Sequence, residues 1–252
     1  MARTIVSAAA LSVLFAAGPA YANGYSKPYT WSGIFVGAHG GQSFAGDAQW
    51  TFEDYKRNGL STSDRRNNCN DGGDGCDPKM GLGDGTLFGG YFGFQKQHGR
   101  FVLGAEISYS DVDLDGEVEE PIDDDVTTTS IDSITTVALK VGHVLGRSAR
   151  WMAYGKLGLA IAEVETSILD DVPDNVGTAT DDSRHFGFLA GAGVEYMLTK
   201  NIIVGAEYNY MTFGSKTHEH TFINGDQVRD TVTDDVEIDD IQTIKGRIGY
   251  KF

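Results

Sequence analysis

Long runs of this chain alternate apolar residues with polar or very small ones. In 101–110, Phe101, Leu103, Ala105, Ile107 and Tyr109 share one face, and Gly104, Glu106, Ser108 and Ser110 the other. In 186–198, Phe186, Phe188, Ala190, Ala192, Val194, Tyr196 and Leu198 oppose Gly187, Gly191, Gly193 and Glu195. In 202–210, Ile202, Val204, Ala206, Tyr208 and Tyr210 oppose Gly205, Glu207 and Asn209. A period of two is the signature of a strand with two unlike faces. The charged residues opposite the apolar stripe are few and alternate with glycine. That suits a crowded interior better than a solvated exterior, and so places the apolar face in lipid. A soluble sandwich or lipocalin-like barrel, with the apolar face inward, is the competing architecture.

Eight segments of this kind are predicted: Trp31–Phe44, Thr86–Gln95, Arg100–Ser110, Ser133–Leu145, Trp151–Thr166, His185–Leu198, Ile202–Phe213 and Ile241–Phe252. The first two are glycine-rich, and their faces stay unassigned. Connections alternate in length. Those at 96–99, 146–150 and 199–201 are short, whereas 45–85, 111–132, 167–184 and 214–240 are long. Short periplasmic turns and long extracellular loops mark outer-membrane barrels. The expected fold is therefore all-β: an eight-stranded antiparallel up-and-down transmembrane barrel with long extracellular loops. Aromatic girdles are expected at both interfaces. Trp31, Phe101, Trp151, Tyr196, Tyr250 and Phe252 would form the periplasmic one, and Tyr109, Phe186, Tyr210 and Phe213 the outer one.

Both ends of the chain fit. Residues 1–22 read as a secretory signal peptide, with Arg3, a short apolar run from Ile5 to Ala17 and an A-x-A site at Ala20-Tyr21-Ala22. That leaves 23–252 as the barrel domain. No other segment approaches the ~20 apolar residues of a membrane helix. The tail places Ile244, Ile248, Tyr250 and Phe252 on one face and Lys245, Arg247 and Lys251 on the other. Tyr250 and Phe252 resemble the terminal signal read by the barrel-assembly machinery. The formal charge of -16 excludes nucleic acid as a partner. Cys69 and Cys76 form one close pair in an exported chain, which points to a loop disulfide; a reduced pair or a metal site is the alternative.

If the faces are right, Glu106, Lys140, Lys156, Glu195, Glu207, Lys245 and Arg247 point inward. Eight strands leave room for little more than side chains. Opposite charges would pair there, because an unpaired buried charge is costly. A lumen plugged by salt bridges is expected; an ion path lined by the same charges is the alternative.

The stretch Tyr29-Thr30-Trp31-Ser32-Gly33-Ile34-Phe35-Val36-Gly37-Ala38-His39-Gly40-Gly41 resembles the opening strand of the small porin-family outer-membrane proteins of alphaproteobacteria. Gly191-Ala192-Gly193-Val194-Glu195-Tyr196 and the tail Gly246-Arg247-Ile248-Gly249-Tyr250-Lys251-Phe252 match as well. The resemblance covers essentially the whole exported chain. It implies an eight-stranded barrel like the membrane domain of outer-membrane protein A, a cell outer membrane location and a role in envelope integrity. In some members it also implies binding of host cells or haem. It does not establish a pore.

The loops are expected to carry any specific function. The second holds Asp111, Asp113, Asp115, Glu117, Glu119, Glu120, Asp123, Asp124, Asp125 and Asp132 without a Lys or Arg. Simple solvation accounts for such acidity; Ca2+ or another divalent cation bridging to lipopolysaccharide is the functional alternative. Asp111, Asp113 and Asp115 open a D-x-D-x-D-G calcium pattern, but Ile122 stands where the bidentate Glu belongs. His218 and His220 share one face of the fourth loop and are a candidate haem or metal pair. Catalysis is not expected. Ser183, His185 and Glu163 or Glu165 offer only a faint hydrolase set. The reading is a structural, surface-interacting outer-membrane barrel, with a small diffusion porin or a haem- or metal-binding surface protein as alternatives. Its expected partners are outer-membrane lipid, lipopolysaccharide, the assembly machinery, and host or surface ligands.

Overall fold

The structure is a computed structural model that describes residues 29–57, 59–61, 79–119, 126–170, 177–223 and 229–252. The signal peptide reading, 1–22, and the Cys69–Cys76 pair lie outside the described residues. In chain order the strands are β1 (Gly33–Ala45), β2 (Asp47–Arg57), β3 (Leu60–Ser61), β4 (Lys79–Gly81), β5 (Asp84–His98), β6 (Phe101–Glu119) and β7 (Val126–Leu145). They continue with β8 (Trp151–Asp170), β9 (Gly177–Met197), β10 (Ile202–Phe213), β11 (Lys216–Ile223), β12 (Arg229–Ile238) and β13 (Ile241–Lys251).

Eight of them close a barrel in the order β1, β13, β10, β9, β8, β7, β6, β5, and β5 returns to β1. Every pairing is antiparallel. The closing seam pairs the first strand with the last, from Phe35 opposite Lys251 to Ala45 opposite Ile241. Closure satisfies every wall strand on both edges, which a lipid phase demands.

The remaining strands form a second sheet, β11-β12-β2-β3, with β4 also on β2. It continues the wall past a break. Gly46 N–H donates to Asp240 C=O (2.9 Å), and Asp239 N–H to Asp47 C=O (3.0 Å), so the β1–β13 ladder runs on as β2–β12. Strands β6 to β9 instead run straight through as single strands of 19 to 21 residues. A membrane crossing takes only ~9–11. The barrel therefore carries a crown of β structure beyond the lipid band.

The outward face marks where that band ends. On β6 it reads Phe101, Leu103, Ala105, Ile107, Tyr109, then Asp111, Asp113, Asp115, Glu117. On β8 it reads Trp151 to Ile161 in steps of two, then Glu163 and Glu165. At ~3.4 Å per residue and a tilt of ~40°, the two apolar stretches stand about 21 and 26 Å tall, close to the ~25 Å band of outer-membrane barrels.

The expectation of long loops is corrected for the described residues: most of 47–57, 111–119, 126–132, 167–170, 177–184, 216–223 and 229–238 is strand. The reason is that their acids occupy alternate positions. Val112, Leu114 and Gly116 are buried while Asp113, Asp115 and Glu117 are exposed. Two girdle assignments are also corrected. Trp31 is fully buried and its indole N–H donates to Ala149 C=O (3.0 Å), while Phe213 points inward. The other assigned aromatics lie at the surface or half-buried.

Candidate functional site

Three layers fill the interior. At the turn end, Trp31, Val102, Val144, Met152, Tyr154, Met197 and Ile203 form an apolar base. At the crown end, Leu87, Val112, Leu114, Ile131, Val164, Met211, Phe213 and Ile241 join Trp50, Val236 and Ile238 of the second sheet. Between them lies a belt of charge. The seven side chains Glu106, Lys140, Lys156, Glu195, Glu207, Lys245 and Arg247 are all buried.

Six of the seven form ion pairs. Arg247 Nη2 donates to Glu106 (2.5 Å), and its Nη1 donates to Glu207. Lys156 donates to Glu207 (2.7 Å) and reaches Glu106 at 3.4 Å. Lys140 donates to Glu195 (2.6 Å) with its ammonium 3.9 Å from the centre of the Tyr154 ring. Tyr154 O–H donates to Glu207 (2.7 Å), and Asn209 Nδ2 donates to Glu207 (3.0 Å) and Thr243 (3.1 Å). The guanidinium of Arg247 also lies 3.9 Å from the centre of the Tyr91 ring. Lys245 differs: its amine donates to Ser110 Oγ (3.3 Å), which also meets His39 Nε2 at 2.9 Å. Strands β6, β8, β10 and β13 thus meet across the bore through Glu106, Lys156, Glu207 and Arg247. Charges so densely paired hold one another in place, where a free charge would recruit water.

The face assignments that the sequence left open on β1 and β5 follow from this packing. Phe35, His39 and Ser43 point inward from β1, and Leu87, Tyr91 and Gln95 from β5. Glycines stand between them, and the large rings lie over the gaps. A Cβ at Gly249 would meet the Tyr91 hydroxyl at 2.5 Å.

A second cluster joins barrel and crown. His218 and His220 do share one face, but both are fully buried, so neither presents an imidazole at the surface as haem capture would require. Sequence reasoning missed the partner. His185 Nε2 of β9 lies 3.2 Å from His218 Nε2 of β11. The His220 ring stacks between His218 (centroids 6.4 Å) and Trp50 (5.7 Å), whose indole N–H donates to Thr129 Oγ1 (3.2 Å).

Other candidates do not assemble. Asp111, Asp113 and Asp115 ride successive outward positions of β6, with Asp111 accepting from Tyr109 O–H (3.0 Å); an extended strand spaces them too widely to share one calcium ion. His185 points inward, whereas Glu163 points outward and pairs with Arg184 (3.0 Å), so the faint hydrolase set is split between the faces. A cleft of 520 Å³ opens on the outer face of the crown beside a β-bulge at Asp132, lined by Asp132, Glu163, Glu165, Asp182, Ser183 and Arg184. Burial, and next the charge of Asp182, raises the Asp132 carboxyl above its usual range. Burial, then Asp182 and Asp132, does the same for Glu165.

The terminal Tyr250 and Phe252 are exposed at the turn end, their rings edge to face at 5.0 Å.

The sequence matches the model of the outer membrane protein beta-barrel domain over residues 7–252. It is 33% identical over 138 residues to a 22 kDa outer membrane protein of Rhizobium leguminosarum bv. viciae, covering 52% of this chain and 56% of that one. It is 39% identical over 74 residues to a 25 kDa outer-membrane immunogenic protein of Brucella abortus, covering 29% and 30%. The chain thus spans about half the length of the first relative and under a third of the second. The crystal structure of OprG from Pseudomonas aeruginosa superposes with a TM-score of 0.54 at 16% identity, covering 88% of this chain and 96% of that one. At that identity the likeness is one of fold. A closed eight-strand wall, an apolar band of membrane height and a family match over nearly the whole sequence agree: the chain belongs to the outer membrane protein beta-barrel domain family and is an integral protein of the cell outer membrane.

Proposed function

We propose that this protein is a closed, non-conducting barrel that braces the outer membrane and presents a rigid β crown for surface contacts. The observation that carries this reading is the grip of Arg247 on both Glu106 and Glu207 across the bore, between two apolar layers. An ion would have to break that pairing and then cross apolar packing on either side. The crown supports the surface role, since its acidic outer face stands beyond the lipid band. The immunogenic relative's name fits such a display. The reading includes no catalytic step.

The test is heat-modifiability on gels combined with single-channel recording in planar bilayers. A boiling-dependent shift without steady conductance supports the reading. Regular conductance steps from the folded band would make the protein a small porin instead.

A further inference from the structure

We propose that His185 and His218 form a buried site for one divalent transition-metal cation of the kind imidazole prefers, such as Zn2+, at the joint between barrel and crown. His185 Nδ1 lies 3.2 Å from the carbonyl oxygen of Gly214, which can only accept, so that nitrogen carries the proton. His218 Nδ1 lies 2.9 Å from Asp181 Oδ2 and 3.1 Å from Thr166 Oγ1. A carboxylate also only accepts, so this nitrogen too is the protonated one. Each neutral ring then leaves the lone pair of Nε2 in the gap between the two rings, 3.2 Å apart, where neither side chain meets solvent.

Two facing lone pairs in a buried gap repel unless something positive lies between them. Two imidazole nitrogens bound to one tetrahedral zinc at ~2.05 Å stand about 3.3 Å apart, close to the separation found here, with the ion beside the N–N line and its other two positions taken by solvent ligands. The outer partners also suit a metal. Ligating histidines characteristically give their second N–H to a carboxylate or a backbone carbonyl, which fixes the ring and raises its basicity. Asp181 and Gly214 supply one of each. Imidazole suits zinc, copper and nickel, whereas calcium and magnesium prefer oxygen.

The location gives the metal a task. The β9–β10 ladder ends at Gly187 opposite Phe213, and above it β11 pairs with β12 and not with β9. The two histidines face each other across this open seam, so a shared cation would fasten the crown to the barrel wall.

The test uses the untagged full chain, folded in detergent, stripped with chelator and confirmed folded by its heat-dependent gel shift. Co2+ is titrated at pH 7.5 with its visible d–d absorption as readout, and Zn2+ then competes in calorimetry. The expected result is one ion per chain with a tetrahedral d–d spectrum of two imidazole nitrogens and oxygen ligands. His185→Ala and His218→Ala should each weaken binding at least 100-fold. Asp181→Asn should weaken it about 10–100-fold while keeping the stoichiometry. His98→Ala, exposed at the turn end, should leave it unchanged. If His218→Ala does not give the folded band, His185→Gln carries the same test. Absence of binding by the wild type, or binding unchanged in the folded histidine variants, would overturn the proposal and leave the pair sharing a proton.

Discussion

The ring of Tyr154 occupies the space where a side chain at Gly193, its partner across the β8–β9 ladder, would stand. A Cβ there would lie 2.5 Å from the phenol oxygen and 2.7 Å from the carbonyl of Ala206. The ring cannot yield cheaply, because its hydroxyl is held by Glu207 and Arg247. Gly193→Ala is expected to cost about 1–3 kcal/mol as overpacking. Gly155→Ala, whose Cβ would meet nothing closer than 3.8 Å, is the control and should be near neutral. Urea midpoints of the protein folded in lipid vesicles measure both.

The charged belt predicts unequal losses from its cations. Arg247→Met leaves Lys156 as the sole cation paired with the buried Glu106 and Glu207 and should cost about 3–5 kcal/mol. Lys245→Met removes a charge that donates to the Ser110 hydroxyl, and should cost about 1 kcal/mol. Equal losses in the same urea assay would count against a network centred on Arg247.

Trp31 is the largest side chain of the barrel floor. Trp31→Ala removes a fully buried indole and its hydrogen bond to Ala149, for an expected loss of about 3–5 kcal/mol. Trp31→Phe should retain most of the packing and lose about 1–2 kcal/mol. Tryptophan fluorescence during unfolding separates the two, since Trp50 and Trp151 remain as reporters.

Of these features, the period-two faces of β6, β9 and β10 were legible because their two sides differ sharply. So was the inward direction of all seven bore charges. The crown was not legible. Its strands place Asp113, Asp115 and Glu117 outward, and in a linear reading their charge hides the alternation beneath. Trp31 reads as a girdle residue because aromatics at strand ends usually face lipid, yet an interior this narrow also needs a stopper. The His185–His218 contact joins residues 33 apart on different sheets. No spacing rule connects them, because a bent wall brings them together.

Acidity should tighten the crown's outer face. Asp132 and Glu165 have raised pKa values in the fold, so they bind protons more strongly folded than unfolded. Their contribution is therefore favourable below the unfolded values, near 4, and is lost as pH rises through the folded ones. Asp182→Asn removes a repelling neighbour of both. It should raise the urea midpoint at pH 7.5, and that gain should fade below about pH 4. A gain of the same size at both pH values would contradict this assignment.

The break at Gly46 and Asp239–Asp240 ties the history of the crown to that of the barrel. Strands β2 and β12 lie roughly at opposite ends of the sequence, so their pairing must await a very large loop closure. The β1–β13 seam, which joins the same two ends, brings them into register. The β2–β12 pairing is therefore among the most sequence-distant in the described fold, second to the β1–β13 seam itself. Excised from the barrel it would have no ready route to its own register, so the extracellular architecture is complete only once the final strand has been zipped into the wall.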